Sequence, residues 1–275
     1  MLYLLPFLTS LSENLQRVNI RVSKYLKTPN AKQIHDVRTS IRRLDATYLI
    51  LPKKSRTGSS LSDYVLKCKE FFKVNSEIRD LDVIYEKLQK YPSNAQRNRV
   101  IEGLKASRVG TLERAKTIAL TLKSTDTTKI IDKIGVTEKE LQKRYSKMRS
   151  KLISRIESTF PAVLTNQAKL EELHELRISC KKLRYLLELL LEEKNNVSKT
   201  RKILQKLQDI LGTIHDYDFT IEYLSSLEQL STEIQEIITI EKEERNAKYH
   251  EFLKFCKRRL DISQDSFLII LKSLK

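Results

Sequence analysis

Two short runs of basic residues share one spacing. The first is His35-Asp36-Val37-Arg38 followed by Arg42-Arg43-Leu44, and the second is His174-Glu175-Leu176-Arg177 followed by Lys181-Lys182-Leu183-Arg184-Tyr185. Both read H-x-x-R-x-x-x-[RK]-[RK]-L. Each helical residue turns the side chain by about 100°, so with His35 at zero Arg38 falls near about −60° and Arg42 near about −20°. His174, Arg177 and Lys181 form the same stripe. Arginine offers a planar fork for two anionic oxygens, and lysine a movable point charge. Histidine donates from either ring nitrogen and gains a second donor on protonation. Like charges three and four residues apart weaken a helix. A bound polyanion is the simplest group that offsets that cost.

The elements that position these stripes are amphipathic. Ile34, Val37, Ile41, Leu44 and Tyr48 cluster away from the cations, as do Leu173, Leu176, Cys180, Leu183 and Leu187. Each motif is therefore a helix with a core face beside a cationic face. A helical run of cations is usually a solvated face with scattered ion pairs; its recurrence in the same phase favours binding. Around the first motif, Leu8, Leu11, Leu15, Val18, Val22 and Leu26 predict a preceding helix, ended by Thr28-Pro29-Asn30. The motif helix runs to about Leu51, where Pro52 and a polar stretch from Lys53 to Ser60 stop it. A third helix runs from near Leu61 through Phe72 towards Asn75, and Arg79-Asp80-Leu81-Asp82 precedes a further helical pattern to Leu88. Tyr91-Pro92-Ser93-Asn94 is a turn, followed by a long helix from Ala95 to Leu122.

After a polar break at Ser124–Thr128 the plan repeats. The spacing predicts a helix from Thr137 to Phe160 closed by Pro161, and the second motif helix from Asn166 to Glu193. A turn is expected at Asn195-Asn196, then a helix reaching Gly212. His215-Asp216-Tyr217-Asp218 follows, then a last long helix from Ser231 to Leu260 with an apolar segment, Phe267 to Leu274, packed behind it. His35 precedes Arg79 by 44 residues and His174 precedes His215 by 41; Ser76 and Gly212 each sit three residues before the basic position. The expectation is an all-α chain of two repeats, 1–123 and 129–275, each a four-helix bundle. Asp80 and Asp216 are expected to cap helix starts or orient a neighbouring arginine.

The totals bound the function. Fifty-two Lys and Arg against 35 Asp and Glu leave a net charge of +17 across 275 residues, and the pI is about 9.7. Such an excess favours an acidic partner: nucleic acid, a membrane surface or an inorganic polyanion. Three cysteines without a CxxC spacing argue against a zinc site or a disulfide framework and fit a reducing cytoplasm. The apolar start Met1–Leu8 lacks a basic region and a cleavage site, so it reads as a docking segment, not a signal peptide. No apolar run approaches the roughly 20 residues of a membrane span.

Three other chemistries compete with binding of an inorganic polyanion. A metal phosphohydrolase could use His35-Asp36 and His215-Asp216, but no third histidine stands in register. A di-iron bundle needs Glu-x-x-His on two helices, and only Glu171-x-x-His174 is present. A nucleic-acid binder is the main alternative; against it stand the absence of Trp, an aromatic content of 7% and the lack of a helix-turn-helix signature.

The two His motifs, with Ile78-Arg79-Asp80-Leu81-Asp82-Val83 and Leu207-Gln208-Asp209-Ile210-Leu211-Gly212 before His215-Asp216, resemble the CHAD family, the conserved-histidine α-helical domain, over nearly the whole chain. The resemblance implies two four-helix bundles related by a pseudo-two-fold axis. It also implies a basic groove or pore that binds inorganic polyphosphate, with phosphate or sulfate as surrogates, and no catalysis, cofactor or metal. Carried onto matching positions, the binding residues are His35, Arg38, Arg42, Arg43, Lys73 and Arg79 in the first half. In the second they are His174, Arg177, Lys181, Lys182, Arg184 and His215. Departures from the family pattern are Asp45, which stands opposite Arg184, Asn75-Ser76 in place of Leu-Gly, and His215 itself. No triphosphate-tunnel domain accompanies the motifs. The expected location is the cytoplasm, at polyphosphate granules.

Overall fold

The computed structural model describes residues 2–127, 130, 134–190, 195–260 and 271, and every regular element among them is helical. The chain divides into two compact units, Leu2–Arg144 and Tyr145–Lys275.

The first unit contains α1 (Leu4–Lys27), α2 (Ala31–Ile50), the single turn α3 (Lys53–Arg56), α4 (Ser60–Leu88) and α5 (Ala95–Lys123). Polar caps start three of them. Asn30 accepts from the Gln33 N–H at α2, Ser59 from Ser62 at α4 and Asn94 from Arg97 at α5. Gly58, at φ 63°, makes the left-handed turn into α4. α1 packs on α2, α2 on α4, α4 on α5 and α5 back on α1. Phe7, Leu11, Leu15, Val18, Val22 and Tyr25 fill this ring from α1, and the Tyr25 and Phe71 rings meet edge-on at 5.1 Å. The predicted apolar face of α2, from Ile34 to Tyr48, is buried throughout.

α6 (Glu138–Thr165) opens with a reciprocal cap: the Glu140 N–H donates to the Thr137 hydroxyl, and the Thr137 N–H to the Glu140 carboxylate. The unit boundary falls within it. The second unit continues with α7 (Leu170–Leu187), α8 (Asn195–Ser225) and α9 (Thr232–Leu260). α7 packs on α8 and α8 on α9. α9 returns to α6 through Phe252 against Phe160 and through the Tyr249 hydroxyl, which donates to the Val163 carbonyl at 2.7 Å. Leu173, Leu176, Cys180, Leu183 and Leu187 are buried as the spacing predicts. Cys68, Cys180 and Cys256 are reduced core residues, and burial pushes their thiol pKa values up, to about 12 for Cys68 and Cys180.

Several predicted boundaries are corrected. No break separates Asn75 from Arg79. The Asn75 amide and the Ser76 hydroxyl donate back to the Phe71 and Phe72 carbonyls at 2.9 Å, so these polar residues sit inside α4 instead of opening a loop. α8 likewise runs through Gly212; a helical glycine costs only about 1 kcal/mol, and buried Leu211 and Ile214 hold both sides in the core. Pro161 does not end α6. It removes one backbone donor, while buried Val163 and the Thr165 hydroxyl, bonded to the Pro161 carbonyl, secure the final turn. Asn166 accepts from the Ala168 N–H at 2.8 Å in a turn, so α7 starts at Leu170 and not at Asn166. α7 also stops earlier, at Leu187, and α8 already begins at Asn195, where a turn was expected. The predicted Phe267–Leu274 segment lies outside the described residues except for Leu271, which is buried.

Candidate polyanion site

In the first unit, α2 presents His35, Arg38 and Arg42 on one face, and α4 brings Phe72 and Arg79 against it. The Arg38 and Arg42 guanidinium carbons stand 5.5 and 5.0 Å from the centre of the Phe72 ring. One aromatic face thus seats two cations whose charges repel. Partial burial lowers the His35 pKa; Asp36 opposes the shift, and Arg38, Arg42 and Arg79 add to it. The group at this face is thus one histidine with Arg38 and Arg42 over Phe72, within the electrostatic reach of Arg79. The Asp36 carboxylate is taken by Arg21 of α1 at 2.7 Å. Arg79 reaches exposed Glu86 at 3.1 Å.

The second unit assembles its counterpart from different residues. The His174 and His215 rings lie 5.2 Å apart, tilted by 53°. Burial lowers the His174 pKa, and Arg177 and Lys181 depress it further. His215, deeper between α7 and α8, is lowered to about 3 by burial, then by Arg177, His174 and Lys181. The cluster therefore holds neutral imidazoles among cations at neutral pH.

The other sequence-named residues flank these clusters. Arg43 and Lys182 sit about 80° round their helices from the histidines. Lys73 and Lys182 are exposed. Arg184 is turned to α8: its Nε donates to Gln208 at 3.1 Å, its Nη1 pairs with Glu188 at 2.8 Å, and its guanidinium covers the Tyr185 ring at 4.4 Å. Tyr185 itself is buried packing. Asp80 and Asp216 lie inside α4 and α8, so neither caps a helix start. The second aspartate of each signature holds an arginine of the next helix. Asp82 holds Arg108 of α5 at 2.6 Å, and Asp218 holds Arg245 of α9 at 2.8 Å. Sequence reasoning missed both pairs and Phe72. The signal was present, because each arginine follows its aspartate by 26 or 27 residues on the next helix.

Among the described residues no group of three or more His, Cys, Asp or Glu is placed to hold a metal ion, and no helix is long and apolar enough to cross a membrane. The CHAD domain family matches residues 9–225. The chain belongs to the CHAD family. Both cation clusters of this CHAD protein fall inside the matched span. Its fold is also similar to the crystal structure of the CHAD domain from the plant Ricinus communis: TM-score 0.66 at 15% identity, covering 98% of this chain and 91% of that one. No functionally curated protein matches the sequence.

Proposed function

We propose that this CHAD protein binds inorganic polyphosphate without catalysing its turnover. One observation carries the reading: each unit gathers a histidine and fixed cations at matched motif positions, completed from the following long helix by Arg79 in one unit and His215 in the other. Membership of the CHAD family supports it. Duplication of one ancestral bundle accounts for the repeated motifs, and a repetitive ligand suits two similar rows of cations. The Asp36–Arg21 ion pair weighs against a metal-binding His-Asp doublet at His35-Asp36. Cytoplasmic polyphosphate granules are the proposed setting.

Competition tests the ligand. Long-chain polyphosphate is expected to displace a fluorescent DNA or RNA oligomer from the protein at physiological salt. Failure to displace it would favour the nucleic-acid reading.

The histidines add a pH dependence. In the free protein His215 has its pKa lowered to about 3, whereas an unfolded chain takes the proton near about 6.5. Folding alone thus loses stability as pH falls through that window. A bound polyanion raises the imidazole pKa from that lowered value, so binding takes up protons and affinity rises as pH falls through the raised pKa of the bound protein. Calorimetry at pH 5.5 and 7.5, in two buffers of different ionisation enthalpy, is expected to show tighter binding and proton uptake at the lower pH. No proton uptake at either pH would show that the anion does not protonate these imidazoles.

A further inference from the structure

The second unit has a basic cavity beside its histidine cluster. It opens where α7 ends beside the first half of α8, has a volume of about 540 Å³, and is lined by Arg184, Arg201, Lys202 and Lys206 with Gln205 and Asp209 among its other walls. Aligning Arg79 with His215 places Val65, Leu66 and Glu70 opposite Arg201, Lys202 and Lys206, and the His motifs place Asp45 opposite Arg184. In the first unit that Asp45 pairs with Lys69 at 3.0 Å. The two units thus differ in which positions carry cations: α4 has Lys67, Lys69 and Lys73 where α8 has Ile203, Gln205 and Asp209. In the second unit Arg184 also pairs with Glu188 at 2.8 Å and Lys206 with Glu251 at 3.7 Å.

Arg201 continues the His215 face of α8. Counting from His215 at about 100° per residue, Gly212, Gln208, Gln205 and Arg201 fall within about 80° of it, while Lys202 and Lys206, about 140° and about 180° round, form the cavity's far flank. On α7, His174, Arg177, Lys181 and Arg184 form the facing stripe. The two stripes meet at His174–His215 and again at Arg184–Gln208. Fourteen residues separate Arg201 from His215, a rise of about 21 Å along α8. Gly212, with nothing within 4 Å of an added Cβ, keeps the stripe low midway.

We propose that the Arg184–Arg201–Lys202–Lys206 cavity is a second phosphate-binding locus. A single polyphosphate chain reaches it from the His174–His215 cluster along the α7–α8 face. This rests on the polyphosphate reading and deepens it: the second unit favours chains long enough to span both ends. Compact anions fill one end only.

The test compares tripolyphosphate with long-chain polyphosphate on the full chain. Arg201→Gln with Lys202→Gln is expected to weaken long-chain binding about tenfold near 0.1 M salt. It should also flatten the log–log salt dependence by roughly 1.4, as for loss of two phosphate contacts on a flexible strand, and so shrink the preference for long chains over tripolyphosphate. Lys147→Gln with Lys151→Gln removes equal charge from exposed positions of α6 and serves as control. Should the first variant lose helicity, Lys202→Gln with Lys206→Gln, both exposed, takes its place. Wild-type affinity and salt slope in the variant overturn the proposal while leaving the polyphosphate reading intact. Equal losses in variant and control also overturn it, since net charge alone would then account for both. A wild-type protein that binds neither probe defeats the polyphosphate reading itself.

Discussion

Replacing Arg177 and Lys181 together by glutamate is expected to lower affinity for long-chain polyphosphate by roughly 100-fold or more. The two side chains are the fixed charges beside His174 and His215, so reversing them puts carboxylates where phosphate oxygens would sit. Arg38→Glu with Arg42→Glu does the same above the Phe72 ring. Neither double variant should lose helicity. Both pairs stand on the polar side of helices whose opposite faces are buried, and each new pair carries the same i,i+4 repulsion as the old one. Circular dichroism checks the fold, and anisotropy or calorimetry checks the ligand. Unchanged affinity in both variants would place the binding surface elsewhere.

Asp218→Ala is expected to be the most damaging single change to stability. Arg245 keeps only 8% of its side chain exposed, with its Nε on Asp218 and its Nη2 on the Gln167 carbonyl at 2.8 Å. Removing the carboxylate strands a buried cation, which typically costs about 3–5 kcal/mol. For a unit of this size that is a fall in Tm of about 10 °C. Adding Arg245→Met to the variant removes the stranded charge and should recover much of the loss. Asp82→Ala is the internal comparison. Its partner Arg108 keeps 30% of its side chain exposed, so water can re-solvate the guanidinium and the fall should be smaller. Equal, small falls in both variants would show that these pairs do not lock their helices.

The parts of the fold that the sequence revealed are those written in strong periodicity. The α2 and α7 apolar faces follow from Ile34 to Tyr48 and from Leu173 to Leu187, because a core face three and four residues apart leaves no other element open. The clusters around His35 and His174 follow for the same reason. Breaks were harder to read. Asn75, Ser76, Gly212 and Pro161 all carry loop or terminator chemistry, yet each is absorbed by a helix whose neighbours are buried on both sides. Tertiary packing outweighs a local cost of about 1 kcal/mol at a glycine. Long-range partners were harder still. Nothing local in Arg184 says that Gln208 and Glu188 will hold it, and nothing local in Phe72 says that two arginines will rest on it.

The three core thiols have a practical consequence. Because burial keeps each protonated and shielded, a cysteine-directed label reacts only when the surrounding helices part. Cys68 keeps time for one half of the molecule, and Cys180 with Cys256 for the other. Pulse labelling read by mass spectrometry turns that arrangement into two independent clocks on a single unmodified chain. They would tell whether the halves breathe together or separately, and which of them a polyphosphate chain slows.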